Sequence, residues 1–356
     1  LRKSGGVIGK IDLRKNQPEL HTDIPRLRAG GVGAQFWSVY VPVSTASQNN
    51  ALTATLEQIA VVRELTKQYG DVFELALTVK DVKRINEQGK IASLIGVEGG
   101  HSIENSINVL RQLYREGARY MTLTHSMSLD WADSCSDDSI SGGLSPFGEE
   151  IIHEMNRLGM LVDLSHVSAA CMRATLKIAR APVIFSHSSA RGIADHPRNV
   201  PDDVLSLTKQ NGGVVMVNFY SDYVNPLDAA RSLKRTRRRE ELKKLYPEDS
   251  EKADSELRQW ELKNPRSKRC TVHDLLDHID HIVDIAGIDH VGLGSDFDGV
   301  SALPRQLEDV STYPVITQGL LDRGYTESEI RKILGANIMR VFEQAEKVSR
   351  RLTSQK

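Results

Sequence analysis

The chain has 356 residues, of which 40% are hydrophobic and 26% are charged, a composition that supports a large core. A single domain of this length is most readily explained by a barrel. The 46 Lys and Arg residues nearly balance the 47 Asp and Glu residues, so the net charge of −1 gives no indication of nucleic-acid or anionic-membrane binding. No apolar run approaches the roughly 18–20 residues that span a bilayer. The three cysteines form no CxxC pair, which argues against a disulfide scaffold and leaves the compartment open.

Repeated strand-then-helix units run along the chain. Short apolar runs predict seven strands at 32–40, 91–97, 120–124, 160–164, 182–185, 214–219 and 290–294. Amphipathic patterns predict helices at 51–69, 103–117, 147–158, 169–179, 202–210, 313–323 and 327–349. Thr326 and Glu329 have the spacing of a capping box at the start of the last helix.

Alternating strands and helices of this kind predict an α/β fold, a TIM-type (β/α)₈ barrel that forms one domain over residues 1–356. A closed barrel of this type has eight strands, one more than the seven predicted. The run at 73–78 is short and has no metal-type residue at its end. We therefore expect the first strand to precede Leu1, which makes the strand at 32–40 the second of the barrel.

The segment 225–270 interrupts the pattern before the last strand, because it is highly charged. A dense basic run at 231–239 is compensated by the acidic residues between 240 and 261. We interpret the segment as a solvated helical hairpin with i,i+4 ion pairs. No aromatic residues are interleaved with the basic ones, so a nucleic-acid-binding patch is disfavoured.

Five predicted strands are followed, within one or two residues, by a histidine or an acidic residue. These residues are Glu98, His125, His166, His187 and Asp296. The carboxyl ends of the strands meet at one face of a parallel barrel, and that face carries the active site. One Glu, three His and one Asp suit a hydrolytic zinc centre, in which two imidazoles and a carboxylate leave positions open for water.

Each of these residues also has a simpler interpretation. Glu98 precedes two glycines and could bridge two cations, or could be an acid near a helix start. A single histidine at a strand end is more often merely hydrogen-bonded, but His166 and His187 end neighbouring strands. His125 is a candidate ligand or a group that polarises the substrate carbonyl. His101 is assigned to support or capping around the site.

Two further groups could act on the substrate. Asp296 is placed to accept a proton from an attacking water and to pass it to the leaving group. Asp298 alternates onto the same face, although an Asx-type turn before Gly299 explains it as well. Arg198 could grip a carboxylate with its planar fork, whereas most loop arginines are solvated.

Motifs at these positions closely resemble the renal, or membrane, dipeptidase family of zinc peptidases, which are amidohydrolase-type barrels. The resemblance covers nearly the whole chain and rests on the segments 33–40, 93–102, 123–126, 163–168, 183–189, 198–203, 216–220 and 294–299. The charged segment 225–270 is similar to an insertion of bacterial relatives. The resemblance implies that the chain hydrolyses dipeptides, with tolerance for a D-residue on the C-terminal side, and members of the family are often homodimers.

The resemblance also implies a role for each candidate residue in attack of a metal-bridging hydroxide on the peptide carbonyl. Glu98 bridges two Zn²⁺ ions and His166 and His187 hold one of them. Asp296 carries the proton and His125 stabilises the developing oxyanion. The substrate is bound by Arg198 through its carboxylate and, on a less secure match, by Tyr223.

One part of the family pattern is missing. The other zinc of the family is held by a His-x-Asp pair on strand one. The pair His21–Asp23 has this spacing, but it leads into a loop that precedes strand two in the family, so we reject it. We expect the true pair just before Leu1, and favour a fragment over a natural short form, with weakened zinc binding and poor stability for the chain as written.

Two alternatives remain open for the function. Lactonase or phosphotriesterase chemistry also occurs on amidohydrolase-type barrels, but the strand-one His-x-His and the carboxylated lysine of those enzymes are not recognised here. A non-catalytic barrel that kept the fold would need neither Asp296 nor Arg198.

Overall fold

The computed structural model describes residues 10–267 and 269–354. Its centre is a curled, wholly parallel sheet. The strands are β1 Ala34–Tyr40, β2 Phe73–Leu75, β3 Ile91–Glu98, β4 Ala118–Thr122, β5 Leu161–Asp163, β6 Ile184–Phe185, β7 Val214–Val217 and β8 Val291–Leu293. Seven of them follow one path in the order β1-β3-β4-β5-β6-β7-β8, and β2 pairs beside the first half of β3. The seven predicted strands are those of this path, and 73–75 is a short additional strand.

Helices connect the strands, as an all-parallel sheet requires. They are α1 Ile24–Ala29, α2 Ser44–Ser47, α3 Ala51–Gln68, α4 Val79–Glu87, α5 Ile107–Arg115, α6 Pro146–Leu158, α7 Ala169–Ile178, α8 Asp202–Asn211, α9 Ser221–Val224, α10 Pro226–Leu245, α11 Ser250–Lys263, α12 Val272–Ala286, α13 Tyr313–Asp322, α14 Glu327–Arg331 and α15 Asn337–Ser354. Within the described residues, no helix is both long and apolar enough to cross a membrane.

Two of the predicted helices differ from the structure. The helix predicted at 103–117 is divided into a 3₁₀ turn, Gly100–Ile103, and α5. The helix predicted at 327–349 begins at the expected capping box of Thr326 and Glu329, but a π-helical turn, Lys332–Ala336, separates α14 from α15. Gly335 has non-helical backbone angles there, which accounts for the break.

Strand register places the functional strand ends side by side. Tyr40 pairs with Glu98, Glu98 with Thr122, and Thr122 with Asp163. Seven of the eight residues of β3 are buried because both faces of the sheet are covered. Ile95 and Val97 pack in the cluster shared with the surrounding helices, whereas Ala92 and Leu94 pack with α15, so the strand follows the expected alternation.

The path of the sheet has two ends, β1 and β8, and no ladder joins them in the described residues. A cavity of about 1480 Å³ is lined by residues of both strands, among them Phe36, Trp37 and Leu293, and it extends to Glu98. The architecture is therefore an open, barrel-like α/β sheet. A further strand between β1 and β8 stays a prediction.

The charged segment forms the expected helical hairpin, made of α10 and α11. Leu242, Ala253 and Leu257 form a small buried cluster between the two helices. The predicted i,i+4 ion pairs are not found among the described residues of this hairpin. Arg235 instead pairs with Glu261 across the two helices, because their packing brings oppositely charged residues together. Arg238 pairs with Glu241 at i,i+3 within α10.

Candidate metal centre

Three side chains converge where the strands end. Oε1 of Glu98 lies 3.1 Å from Nε2 of His166 and 3.3 Å from Nε2 of His187. The two imidazole nitrogens are 2.8 Å apart. Among the described residues this is the one group of three His, Cys, Asp or Glu side chains whose donor atoms are close enough to share a metal ion. Two imidazoles and a carboxylate match the donor set of a catalytic zinc site, so these residues fit a metal.

Local backbone geometry brings Glu98 to this position. Gly99 has φ 119°, in the region that favours glycine, and a Cβ on Gly100 would lie 2.4 Å from the carbonyl oxygen of Leu123. The chain can therefore turn sharply directly after Glu98. Ser38 on β1 donates a 2.6 Å hydrogen bond to Oε2 of Glu98, which leaves Oε1 to face the imidazoles.

The electrostatics of the group keep Glu98 ionised. Burial by itself would raise the pKa of Glu98, but the contacts with His166 and His187 outweigh it and hold this pKa well below its ordinary value. Burial lowers the pKa of His166 well below its ordinary value. A carboxylate and a neutral imidazole are the forms that bind a metal.

His125 lies against this group. Its ring stacks on that of His166 with centroids 4.2 Å apart, and its Nε2 is 3.8 Å from Oε1 of Glu98. Burial lowers the pKa of His125 to about 4, so the imidazole is neutral at pH 7. Its Nδ1 is buried without a hydrogen-bond partner in the described structure.

Asp296 and Asp298 diverge after β8. Nδ2 of Asn218 donates a 3.1 Å hydrogen bond to Oδ2 of Asp296, and burial raises the pKa of this carboxyl group. Asp298 is exposed and accepts a hydrogen bond from the backbone N–H of His21. The structure therefore separates the two carboxylates, which the sequence pattern placed on one face.

Arg198 is buried, with only 2% of its surface exposed. Its guanidinium donates to the backbone oxygen of His187 at 3.2 Å and to Oγ of Ser188 at 3.4 Å, and it lies over the ring of Tyr223. Its Nε is buried without a partner in the described structure. Arg198 and Tyr223 line the same cavity as Glu98 and Asp296.

Comparison with known proteins identifies the family of this chain. Residues 3–356 match the family described as membrane dipeptidase, peptidase family M19. The chain belongs to this family. It is a metallo-dipeptidase, a hydrolase that cleaves dipeptides with a metal cofactor.

Solved structures share the fold of this dipeptidase. The probable dipeptidase PvdM from Pseudomonas aeruginosa is 23% identical, with a TM-score of 0.81 over 94% of this chain and 90% of that one. A metallo peptidase from Rhodobacter sphaeroides, liganded with a phosphinate mimic of L-Ala-D-Ala, is 22% identical, with a TM-score of 0.76 over 93% and 92%. An amidohydrolase from Pseudomonas aeruginosa is 24% identical, with a TM-score of 0.73 over 93% of both chains.

The remaining candidates of the dipeptidase lie outside the three-residue group. His101 contacts the backbone oxygen of Val41 through Nε2 at 3.1 Å, and its ring lies beside Gly99. His21 accepts a hydrogen bond from the backbone N–H of Asp298 at Nδ1. Asp23 caps α1 and binds Arg26. Nδ1 of His21 and the carboxylate of Asp23 are thus engaged in other contacts.

Several residues around the site were not singled out from the sequence. Ser38 contacts Glu98, Asn218 contacts Asp296, and Ser186 contacts His187. Asp163 is fully buried at the end of β5. An acidic residue inside an apolar run, three positions before the candidate ligand His166, is a signal that could have identified Asp163, since a buried carboxylate needs partners.

Proposed function

We propose that the chain hydrolyses dipeptides with a zinc ion held by Glu98, His166 and His187. This proposal rests on the close approach of Oε1 of Glu98 to the Nε2 atoms of His166 and His187. A bound zinc ion would supply a Lewis acid that activates water near neutral pH and polarises the peptide carbonyl. The family establishes a metallo-dipeptidase, and the donor set favours zinc over the hard cations that prefer oxygen ligands.

In this proposal Arg198 binds the C-terminal carboxylate of the dipeptide. The guanidinium is held by backbone and Ser188, yet its Nε has no partner in the described structure. A buried donor without an acceptor is costly, and a substrate carboxylate would satisfy it. Tyr223 would contact the same part of the substrate, since its ring lies under the guanidinium.

Asp296 would take the proton of the attacking water and deliver it to the leaving amine. Burial raises the pKa of its carboxyl group, which brings its two protonation states closer in energy at neutral pH. Asn218 holds one carboxylate oxygen and leaves the other free for the proton. The neutral His125 would donate a hydrogen bond to the oxyanion that develops on the carbonyl.

We infer that the described residues hold at most one zinc ion tightly. In the described residues, a single group of three ligands fits a metal, and Oε2 of Glu98 is bonded to Ser38. A second ion would need further ligands, and Asp23 is bonded to Arg26 while Nδ1 of His21 is bonded to the backbone of Asp298. Metal analysis that finds two tightly bound zinc ions per chain would overturn this inference.

The direct test is hydrolysis of a panel of dipeptides, including ones with a C-terminal D-residue, after removal and re-addition of zinc. We expect zinc-dependent cleavage that is lost in His187→Gln and kept in His153→Gln, an exposed histidine of α6. Absence of cleavage by the zinc-loaded protein would contradict the proposed function.

A further inference from the structure

We propose that Asp163 and Ser186 are positioning residues, which hold the proton of His187 on Nδ1 and so present Nε2 of that imidazole as a metal ligand. The inference rests on the proposed metal centre. It concerns a buried chain of hydrogen bonds that runs behind the site, from the end of β5 to the residues that follow β6.

Asp163 is fully buried and accepts four hydrogen bonds. The backbone N–H groups of Ser165 and Ser186 donate to Oδ1, at 3.1 and 2.8 Å. The hydroxyl groups of Thr122 and Ser186 donate to Oδ2. Every group that contacts this carboxylate is thus a hydrogen-bond donor. No cationic side chain is bonded to the carboxylate among the described residues.

The position of the proton on His187 follows from these contacts. A serine hydroxyl has one proton, and that of Ser186 is given to Asp163 across 2.6 Å. Oγ of Ser186 also lies 2.7 Å from Nδ1 of His187. With its own proton committed, Oγ can only accept in this second contact. Nδ1 of His187 must therefore be the donor and carry the proton.

The opposite ring nitrogen is then free to bind a metal. A neutral imidazole protonated at Nδ1 has its lone pair on Nε2, the atom that faces Oε1 of Glu98 at 3.3 Å and Nε2 of His166 at 2.8 Å. Hydrogen bonds to the non-ligating nitrogen of a metal-bound histidine orient its ring and raise its basicity. Here a serine transmits this effect from the buried aspartate.

Two substitutions test the chain of contacts separately. Ser186→Ala removes the acceptor for Nδ1, and we expect the affinity for zinc to fall about 10- to 100-fold. Asp163→Asn places an N–H donor in reach of Ser186, whose hydroxyl can then turn to His187 and favour the tautomer that is protonated at Nε2. Ser186→Thr keeps the hydroxyl and should restore most of the affinity.

Ser93→Ala is the matched control, because Ser93 is a fully buried serine of β3 whose hydroxyl has no hydrogen-bond partner in the described structure. Zinc affinity would be measured by chelator competition on the full chain. The tautomer would be read from ¹⁵N chemical shifts of metal-free protein labelled at histidine, with the His187 signal assigned through its loss in His187→Gln.

The outcomes separate this inference from the proposed function. If the parent chain binds no zinc, the proposed metal centre fails, while the tautomer of His187 still tests the positioning role. If the parent binds zinc and Ser186→Ala matches Ser93→Ala in both affinity and tautomer, the positioning role is wrong. A shift of the His187 proton in Asp163→Asn, with unchanged thermal stability, is a result that a merely structural role would not produce.

Discussion

Arg198 shows how far a single residue can depart from what its sequence context suggests. A loop arginine is usually solvated, but this one is buried beside His187 and Ser188, and its Nε has no hydrogen-bond partner among the described residues. Burial of a guanidinium ion is costly unless an anion completes its contacts. This burial is the observation that motivates the proposal that Arg198 binds the substrate carboxylate.

We expect Arg198→Lys to raise the KM for dipeptides about 10- to 100-fold with a smaller effect on kcat, because a charge-assisted hydrogen bond contributes about 1.5–3 kcal/mol. Steady-state kinetics with a dipeptide and its C-terminal amide measure this. Arg191→Lys in the same loop is the control, since Arg191 bonds only backbone oxygens in the described structure. An equal loss with both substrates would contradict a role in carboxylate binding.

Asp296→Asn should lower kcat by about 10²- to 10⁴-fold while zinc binding stays intact, because the substitution removes the proton acceptor and not a metal ligand. The variant would be compared with Asp298→Asn, which alters an exposed carboxylate two residues away. Full activity of Asp296→Asn, measured on zinc-loaded protein, would rule out the proton-transfer role.

At the scale of elements, α12 is hydrogen-bonded through one histidine to the loop after β6 and to α9. His278 on this helix accepts a hydrogen bond from the backbone N–H of Ala190 at Nδ1, 2.9 Å away, and its Nε2 lies 2.9 Å from the backbone oxygen of Val224. It is fully buried and satisfied as a neutral imidazole. Protonation of Nδ1 would break the contact with the loop that follows β6.

This arrangement predicts a loss of stability in mild acid. Burial lowers the pKa of His278 to about 4 in the folded chain, against 6.5 as its ordinary value. The unfolded chain therefore binds more protons between these pH values, so the contribution of His278 is complete above pH 6.5 and is lost as the pH falls to 4. The free energy of unfolding should fall by about 3 kcal/mol over this range from this residue.

Urea unfolding of the parent chain and of His278→Gln at several pH values would measure this contribution. We expect the variant to be less stable at pH 7, and its stability to decline less steeply below pH 6.5, because one titrating group is removed. His153→Gln, on an exposed part of α6, should follow the parent curve. Parallel curves for the parent and His278→Gln would show that His278 does not titrate in this range.

On the scale of the whole molecule, the metal site joins strands that are distant in the chain. Glu98 ends β3, and His166 and His187 follow β5 and β6. The strands β1 and β8 remain unpaired with each other in the described residues. Unpaired strand edges and a large cavity between them reduce the contacts that hold the sheet closed. A metal ion at the strand ends would tie together three of its strands.

Zinc should accordingly raise the unfolding temperature of the chain by a few degrees, and chelation should lower it. A ligand present at 100 times its Kd adds about 2.7 kcal/mol to the stability of the folded state. Differential scanning calorimetry with and without zinc would measure the shift. His187→Gln should lose it and His153→Gln should keep it. An equal shift in all three chains would place the bound zinc elsewhere.

Much of the sheet and part of the site could be predicted because their signals are local. Continuous apolar runs define buried parallel strands, and the residue at each carboxyl end is then directed to one face. The capping box of Thr326 and Glu329 is likewise contained within four residues. The π-helical turn around Gly335 was not predicted, because a single glycine does not show whether a helix continues past it.

The sequence by itself determined the order of strands and helices, the charged hairpin and the residues that end the strands, since each depends on neighbours along the chain. Only the tertiary structure decided how distant residues meet. It buries Arg198, separates Asp296 from Asp298, and forms the two hydrogen bonds that link Asp163 to Ser186 and Ser186 to His187. These depend on distances and hydrogen-bond directions between residues of different elements, which no local pattern encodes.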